Sequence, residues 1–279
     1  YVATETDAWR KTKISRYSYE KGTIKYACEK VINGTILNQF SMDEYEGNLR
    51  FAATTYDDNG KTTNGLYIVD SLFKTIGSVS RLAPGERIYS ARFMGESVYF
   101  VTYRETDPLF LVDVSDPANP VVKDKLKIPG FSDYLHPFGE NMLLGIGSIQ
   151  DKEGNSYVKL SMFDISNPEK VKEIHSKKLG KNTVQNMGSD HKGIVVDAER
   201  NRIAFGVENY DDTTDSFYEI FSYDKQKGFQ NIAKLSLEES YSTESRGLYI
   251  GDYFYLCKTS SGICVYDTKK YKKIRSIAY

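Results

Sequence analysis

No stretch of this chain approaches the roughly 18 apolar residues that a membrane-spanning helix requires, and none reads as a signal peptide. The opening residues, Tyr1-Val2-Ala3-Thr4, read as the middle of a strand, which predicts a segment upstream of them. Cysteine is scarce. Three in 279 residues make neither a disulfide framework nor a zinc site. Cys28 is isolated, whereas Cys257 and Cys264 flank Thr259-Ser260-Ser261-Gly262. A two-residue turn at Ser260-Ser261 would set that pair opposite each other, within reach of a cross-strand disulfide; two small apolar residues in a hairpin is the preferred expectation.

An excess of either charge is missing too. With 37 basic and 38 acidic side chains the formal net charge is −1, which argues against a nucleic-acid surface. There is no Gly-x-Ser-x-Gly elbow, no His-Glu-x-x-His and no dinucleotide fingerprint. Asn59-Gly60-Lys61-Thr62 has the tail of a phosphate loop, but Thr55 stands where its first glycine is required. What the chain does have is aromatic bulk. Its 22 Tyr and 14 Phe enlarge the burial available to a modest 40% apolar share.

A repeat organises that material. Apolar runs end in aspartate at Asp70, Asp113, Asp164, Asp224 and Asp267, at steps of 43 to 60 residues, around the repeat length of propeller blades. Two copies share a turn, Asp113-Val114-Ser115-Asp116-Pro117 and Asp164-Ile165-Ser166-Asn167-Pro168. Between the aspartates lie turn dipeptides, Gly47-Asn48, Gly95-Glu96, Gly139-Glu140, Arg200-Asn201 and Gly251-Asp252, each followed by a strand-like run. Runs such as Ser97-Val98-Tyr99-Phe100-Val101 are apolar nearly throughout, as expected of strands buried on both faces. Each unit therefore predicts an opening strand, a tight turn, a second strand, a variable loop, a third strand ending in Asp, and a fourth. Helical spacing between Asn167 and Gly180 is overridden by alignment with the preceding repeat. The prediction is an all-β fold, a β-propeller of about six four-stranded blades in one domain over 1–279. The blades fall at approximately 1–36, 37–85, 86–130, 131–188, 189–240 and 241–279, and the first lacks its opening strand.

Several stretches resemble one prokaryotic family. They are Phe40-Ser41-Met42-Asp43-Glu44-Tyr45, Asp107-Pro108-Leu109-Phe110, Ala91 through Pro137, and Asp190-His191-Lys192. The family comprises secreted or membrane-anchored proteins with a C-terminal β-propeller distantly related to WD-40 repeats. The resemblance implies an extracytoplasmic propeller, secreted or anchored at the cell surface, often preceded by an anchor and further propeller sequence. It transfers no activity. The last repeat is plainer than the family pattern, and any family N-terminal region is absent.

Propellers place ligand sites at the central channel mouth, so polar residues of the opening strands are the candidates: Asp43, Glu44, Arg92, Asp133, His136, Asp190, His191, Glu244 and Arg246. Two histidines with carboxylates suit several divalent ions, and the arginines suit an anionic or sugar ligand. The preferred expectation is that these groups tie strands together. His175, on an outer strand, is expected in solvent. The loop residues Asp57, Asp58, Asp211 and Asp212 offer oxygen ligands for Ca2+, although none matches a calcium-loop motif and all are ordinary turn formers. The basic run Lys269 to Arg275 falls on an outermost strand, where lysines discourage strand addition. The chain thus predicts a binding or protein-interaction scaffold for a protein or glycan at the cell surface, without nucleic acid or membrane insertion. The alternative is a glycan-directed hydrolase or lyase using a metal or a His/Asp site in the channel.

Overall fold

The computed structural model describes residues 1–6, 10–57, 59–103, 107–185, 187–210, 215–237, 245–258 and 261–278. Among them are six antiparallel sheets, two short 3-10 turns and no α-helix. Among the described residues no helix is long and apolar enough to cross a membrane. The sheets fall into two compact units, residues 1–128 with 167–171, and residues 129–166 with 172–279.

In the first unit, sheet one has three strands, Val2–Glu5, Thr12–Glu20 and Thr23–Ile32. Sheet two is built on Asn48–Tyr56, which pairs near its two ends with Gly34–Thr35 and Met42–Tyr45, and continues through Thr62–Val69 and Thr75–Leu82. Sheet three runs Arg87–Met94, Ser97–Tyr103, Asp107–Asp113 and Val121–Ile128. The second unit repeats the pattern. Sheet four comprises Phe131–Pro137, Met142–Gln150, Ser156–Asp164 and Lys172–Lys178. In sheet five, Thr183–Val184 and Val195–Asp197 share the strand Arg202–Asn209, followed by Asp215–Asp224 and Gly228–Ser236. Sheet six comprises Arg246–Ile250, Tyr253–Lys258, Gly262–Asp267 and Lys273–Ile277. The stretch weighed as a helix forms the strand Lys172–Lys178 instead.

Sheet two shows why the central runs are apolar without alternating. Leu49, Phe51 and Ala53 pack toward sheet one in a cluster with Ile14, Val69 and Phe73. Ala52, Leu66 and Ile68 point the other way, into a cluster with Ile88, Val98, Phe100 and Phe110 of sheet three. Side chains on a strand alternate between faces, so a strand covered on both sides is apolar at most positions, with Arg50 and Thr54 as buried polar exceptions here. The same reasoning covers sheets five and six, where Tyr218 and Ile220 meet Phe254 and Leu256. Burying each such side chain is worth about 1.5–3 kcal/mol, and these clusters supply much of the cohesion between neighbouring sheets.

The recurring aspartate has a local cause. The Oδ1 of Asp70 accepts from the N–H groups of Leu72 and Lys74, and Asp113 and Asp164 accept from Ser115 and Ser166. Asp224 accepts from Gln226 and Lys227, and Asp267 from Lys269, Lys270 and Lys272. Each carboxylate closes the turn into the fourth strand by satisfying donors that would otherwise be unpaired.

Two expectations are corrected. The Cys257–Cys264 pair is out of register: Cys264 lies opposite Leu256 and Cys257 opposite Ile263, because the loop between Lys258 and Gly262 is three residues long. The two sulfurs point to opposite faces of the sheet, and both thiols are free. His175 does sit on an outer strand but is half-buried. Its Nδ1 lies 2.8 Å from the Tyr223 hydroxyl and its ring meets the edge of the Tyr223 ring at 5.6 Å.

Candidate functional site

The opening strand of sheet four is irregular at one residue. Ser132 pairs with Gly147 and Tyr134 with Ile146, so Asp133 is the extra residue of a β-bulge. Gly147 makes the bulge possible: a Cβ there would fall 1.7 Å from the Phe131 carbonyl oxygen and 2.7 Å from the Ser132 Cα. Bulges re-aim side chains out of the pleat, and here the side chain is a carboxyl turned into protein. Gln185 Nε2 donates to Asp133 Oδ2 at 2.7 Å, while the N–H of Met187 donates to Gln185 Oε1 at 2.5 Å and fixes the amide. Burial pushes the Asp133 carboxyl up to about 6, against the opposing pull of the Gln185 hydrogen bond. Further along the strand, His136 Nδ1 lies 2.8 Å from the Tyr134 hydroxyl.

Asp190 and Arg246 belong to the same unit and form an ion pair, with Arg246 Nη2 at 3.0 Å from Oδ1 and 2.8 Å from Oδ2. Asp190 precedes the 3-10 turn His191–Gly193, and Arg246 opens sheet six, so the pair clamps one opening strand to the next. Tyr218 completes the clamp. Its hydroxyl donates to the Gly193 carbonyl at 2.7 Å and accepts from the Gly247 N–H at 3.1 Å. Burial drives the Tyr218 phenol well above its ordinary value, so it stays neutral. His191 lies half-buried in the turn itself.

These strands border an open depression of about 560 Å³, lined by His136 of sheet four, Ile194 to Arg200 of sheet five and Gly247 to Tyr249 of sheet six. Its rim carries an ion pair, Arg200 Nη1 to Asp197 Oδ2 at 2.8 Å, and Arg200 lies 5.8 Å from the Tyr249 ring centre. Tyr249 is held from behind by the Tyr271 hydroxyl at 2.7 Å, which also accepts from Arg202 Nε at 3.1 Å. Among the described residues that the sequence singled out, only His136 lines the depression. Arg200, Asp197 and Tyr249 were missed, since Arg200-Asn201 reads in the sequence as a turn dipeptide. The usable signal was a charged Asp-Ala-Glu-Arg segment directly after an opening strand.

In the first unit Asp43 pairs with Arg50, a guanidinium left 3% exposed. Arg50 also donates to the Gly95 carbonyl at 2.6 Å and lies 4.4 Å from the Tyr45 ring centre. Arg92 stands 4.1 Å over the Phe40 ring, and Glu44 is exposed. Asp57 uses Oδ1 to accept from the N–H groups of Asn59 and Lys61, closing its own turn. Asp58, Asp211, Asp212 and Glu244 lie outside the described residues. Among the described residues no group of three or more His, Cys, Asp or Glu side chains is placed to hold a metal ion.

Successive antiparallel sheets of mostly four strands, packed face to face within each unit, are the pattern of a β-propeller. Residues 1–271 match the model of the Beta propeller domain family, and the chain belongs to that family. It is 41% identical to an uncharacterized protein of Methanocaldococcus jannaschii over 64% of this chain and 28% of the relative. It is 35% identical to an uncharacterized protein of Archaeoglobus fulgidus over 95% of this chain and 38% of the relative. The chain therefore spans less than two fifths of the length of these relatives. Among solved structures, a putative 6-phosphogluconolactonase from Bacteroides uniformis is similar in fold, with a TM-score of 0.50 and 11% identity over 95% of this chain and 76% of that one.

Proposed function

We propose that this propeller domain is a binding scaffold displayed outside the cytoplasm at the cell surface, taking a protein or glycan partner. The observation that carries this reading is the depression of about 560 Å³ framed by the opening strands of three successive sheets. Its rim combines a charged pair, Arg200 and Asp197, with the apolar and aromatic surface of Leu248 and Tyr249, the mixture that recognition surfaces use. Arg246, directly before the lining residue Gly247, is engaged by Asp190 and ties two segments together beside the depression. Fold alone does not fix function; the site does. The test is binding of the purified domain to cell-envelope fractions from a source species, with Arg200→Glu and Leu248→Asp as variants. Saturable binding that both variants abolish supports the site, and binding indifferent to both refutes it. Protease accessibility of the domain on intact cells tests the location independently.

One observation favours a catalytic alternative. Asp133 is a buried carboxyl with its pKa pushed up to about 6, a value suited to proton transfer near neutral pH. A glycan-directed hydrolase or lyase using it would lose its activity in Asp133→Asn while the Arg200 variants retained turnover.

A further inference from the structure

The first unit contains a cavity of about 340 Å³ lined by Glu5, Arg10, Lys11, Thr35, Tyr56 and Arg87. Strand ends from its three sheets meet there: Glu5 ends a strand of sheet one, Tyr56 ends the long strand of sheet two, and Arg87 starts sheet three. Among the described residues the lining carries Arg10, Lys11 and Arg87 together with one carboxylate, Glu5. Arg10 stands 4.4 Å and Arg87 6.0 Å from the centre of the Tyr56 ring, so the two guanidinium groups gather on one aromatic side chain. Lys11 and Arg87 take part in no ion pair among the described residues. Arg87 is exposed, and Tyr103 is its cross-strand neighbour.

Arg87 and Lys11, without a carboxylate partner among the described residues, would gain Coulomb energy from an anion placed between them. A guanidinium held by a ring keeps N–H donors for a planar or tetrahedral oxyanion, and an amine beside it supplies a second charge. A volume of this size fits a monosaccharide-sized ligand.

We infer that this cavity binds a small ligand through an oxyanion group, a carboxylate, phosphate or sulfate, with Arg87 and Lys11 as the principal contacts and Arg10 positioned by Tyr56. The site is separate from the depression in the second unit and does not depend on the function proposed for it.

Isothermal titration of the whole chain at low salt, with glucuronate, inorganic phosphate and inorganic sulfate as probes, tests the inference. At least one probe binds saturably at one site, and its affinity falls as salt rises. Arg87→Gln weakens that binding by roughly tenfold or more, Lys11→Gln weakens it less, and Glu5→Gln strengthens it. Lys74→Gln, an exposed cation of the same unit outside the cavity, leaves it unchanged. Preference for glucuronate identifies a sugar carboxylate as the natural group, and preference for phosphate or sulfate identifies an ester of that acid. The inference is overturned if none of the three probes binds saturably, or if Arg87→Gln binds as the unaltered chain does.

Discussion

Asp133→Asn is expected to stabilise the protein near neutral pH, although it removes a charge and adds no contact. The Asp133 carboxyl has its pKa raised from 3.8 to about 6. A carboxyl with a raised pKa binds its proton more tightly folded than unfolded. Between those two values the native state holds the proton and the unfolded state has lost it, so stability falls as pH rises through the window. Each unit corresponds to about 1.4 kcal/mol, so ionising this group inside the fold costs about 3 kcal/mol by pH 7 and nothing below pH 3.8. Asparagine is nearly isosteric and its Oδ1 still accepts from Gln185, so the variant escapes the cost and keeps the hydrogen bond. For a chain of this size, about 3 kcal/mol corresponds to a rise in Tm of roughly 5–10 °C. Differential scanning calorimetry from pH 4 to 8 measures it. The variant and the unaltered chain should coincide at pH 4 and diverge steadily above it. A gap that stays constant with pH, or a less stable variant at pH 7, would refute the assignment of a buried ionising carboxyl. The same measurement bears on the catalytic alternative, which requires the raised Asp133 pKa that the calorimetry reads.

Asp43→Ala leaves the Arg50 guanidinium, 3% exposed, without its carboxylate, and should cost about 3–5 kcal/mol in urea denaturation. Gly147→Ala places a methyl group 1.7 Å from the Phe131 oxygen, so the bulge must unwind; a loss of several kcal/mol, or failure to fold, is expected in circular dichroism. Asp164→Ala removes a turn closure worth about 1 kcal/mol. Hydrogen bonds from the Ser166 side chain and backbone hold the Asp164 pKa below its ordinary value, so that contribution is present above pH 3.8 and lost as pH falls through the lowered folded value. Alkylation of the unfolded chain without reductant should label all three cysteines, as their free thiols require.

The parts of the fold visible in the sequence are those with local causes. An aspartate that accepts from an N–H two residues on works at any position where the chain must turn, so it can recur in every repeat, and its five copies are visible in the sequence alone. Apolar runs such as that through Phe100 were legible for a similar reason, since burial on both faces is written along one strand. The errors came where a distant residue decides. Cys257 and Cys264 were misaligned by a single loop residue, and on a strand one residue exchanges the faces. His175 reads as exposed until Tyr223, 48 residues on, is seen to reach it. At the candidate site, Asp133 was chosen because it lies on an opening strand, but its special character comes from elsewhere. Gly147, on the adjacent strand, makes room for the bulge, and Gln185, 52 residues on, supplies the hydrogen bond. The basic cavity escaped notice for the same reason, because Lys11, beside a strand of sheet one, and Tyr56 and Arg87, at strand ends of two other sheets, are each ordinary in their own segment. A repeat protein writes its scaffold locally in every blade and assembles its sites from residues that only stacking brings together, so the features of this chain least visible in the sequence are the ones to test for function.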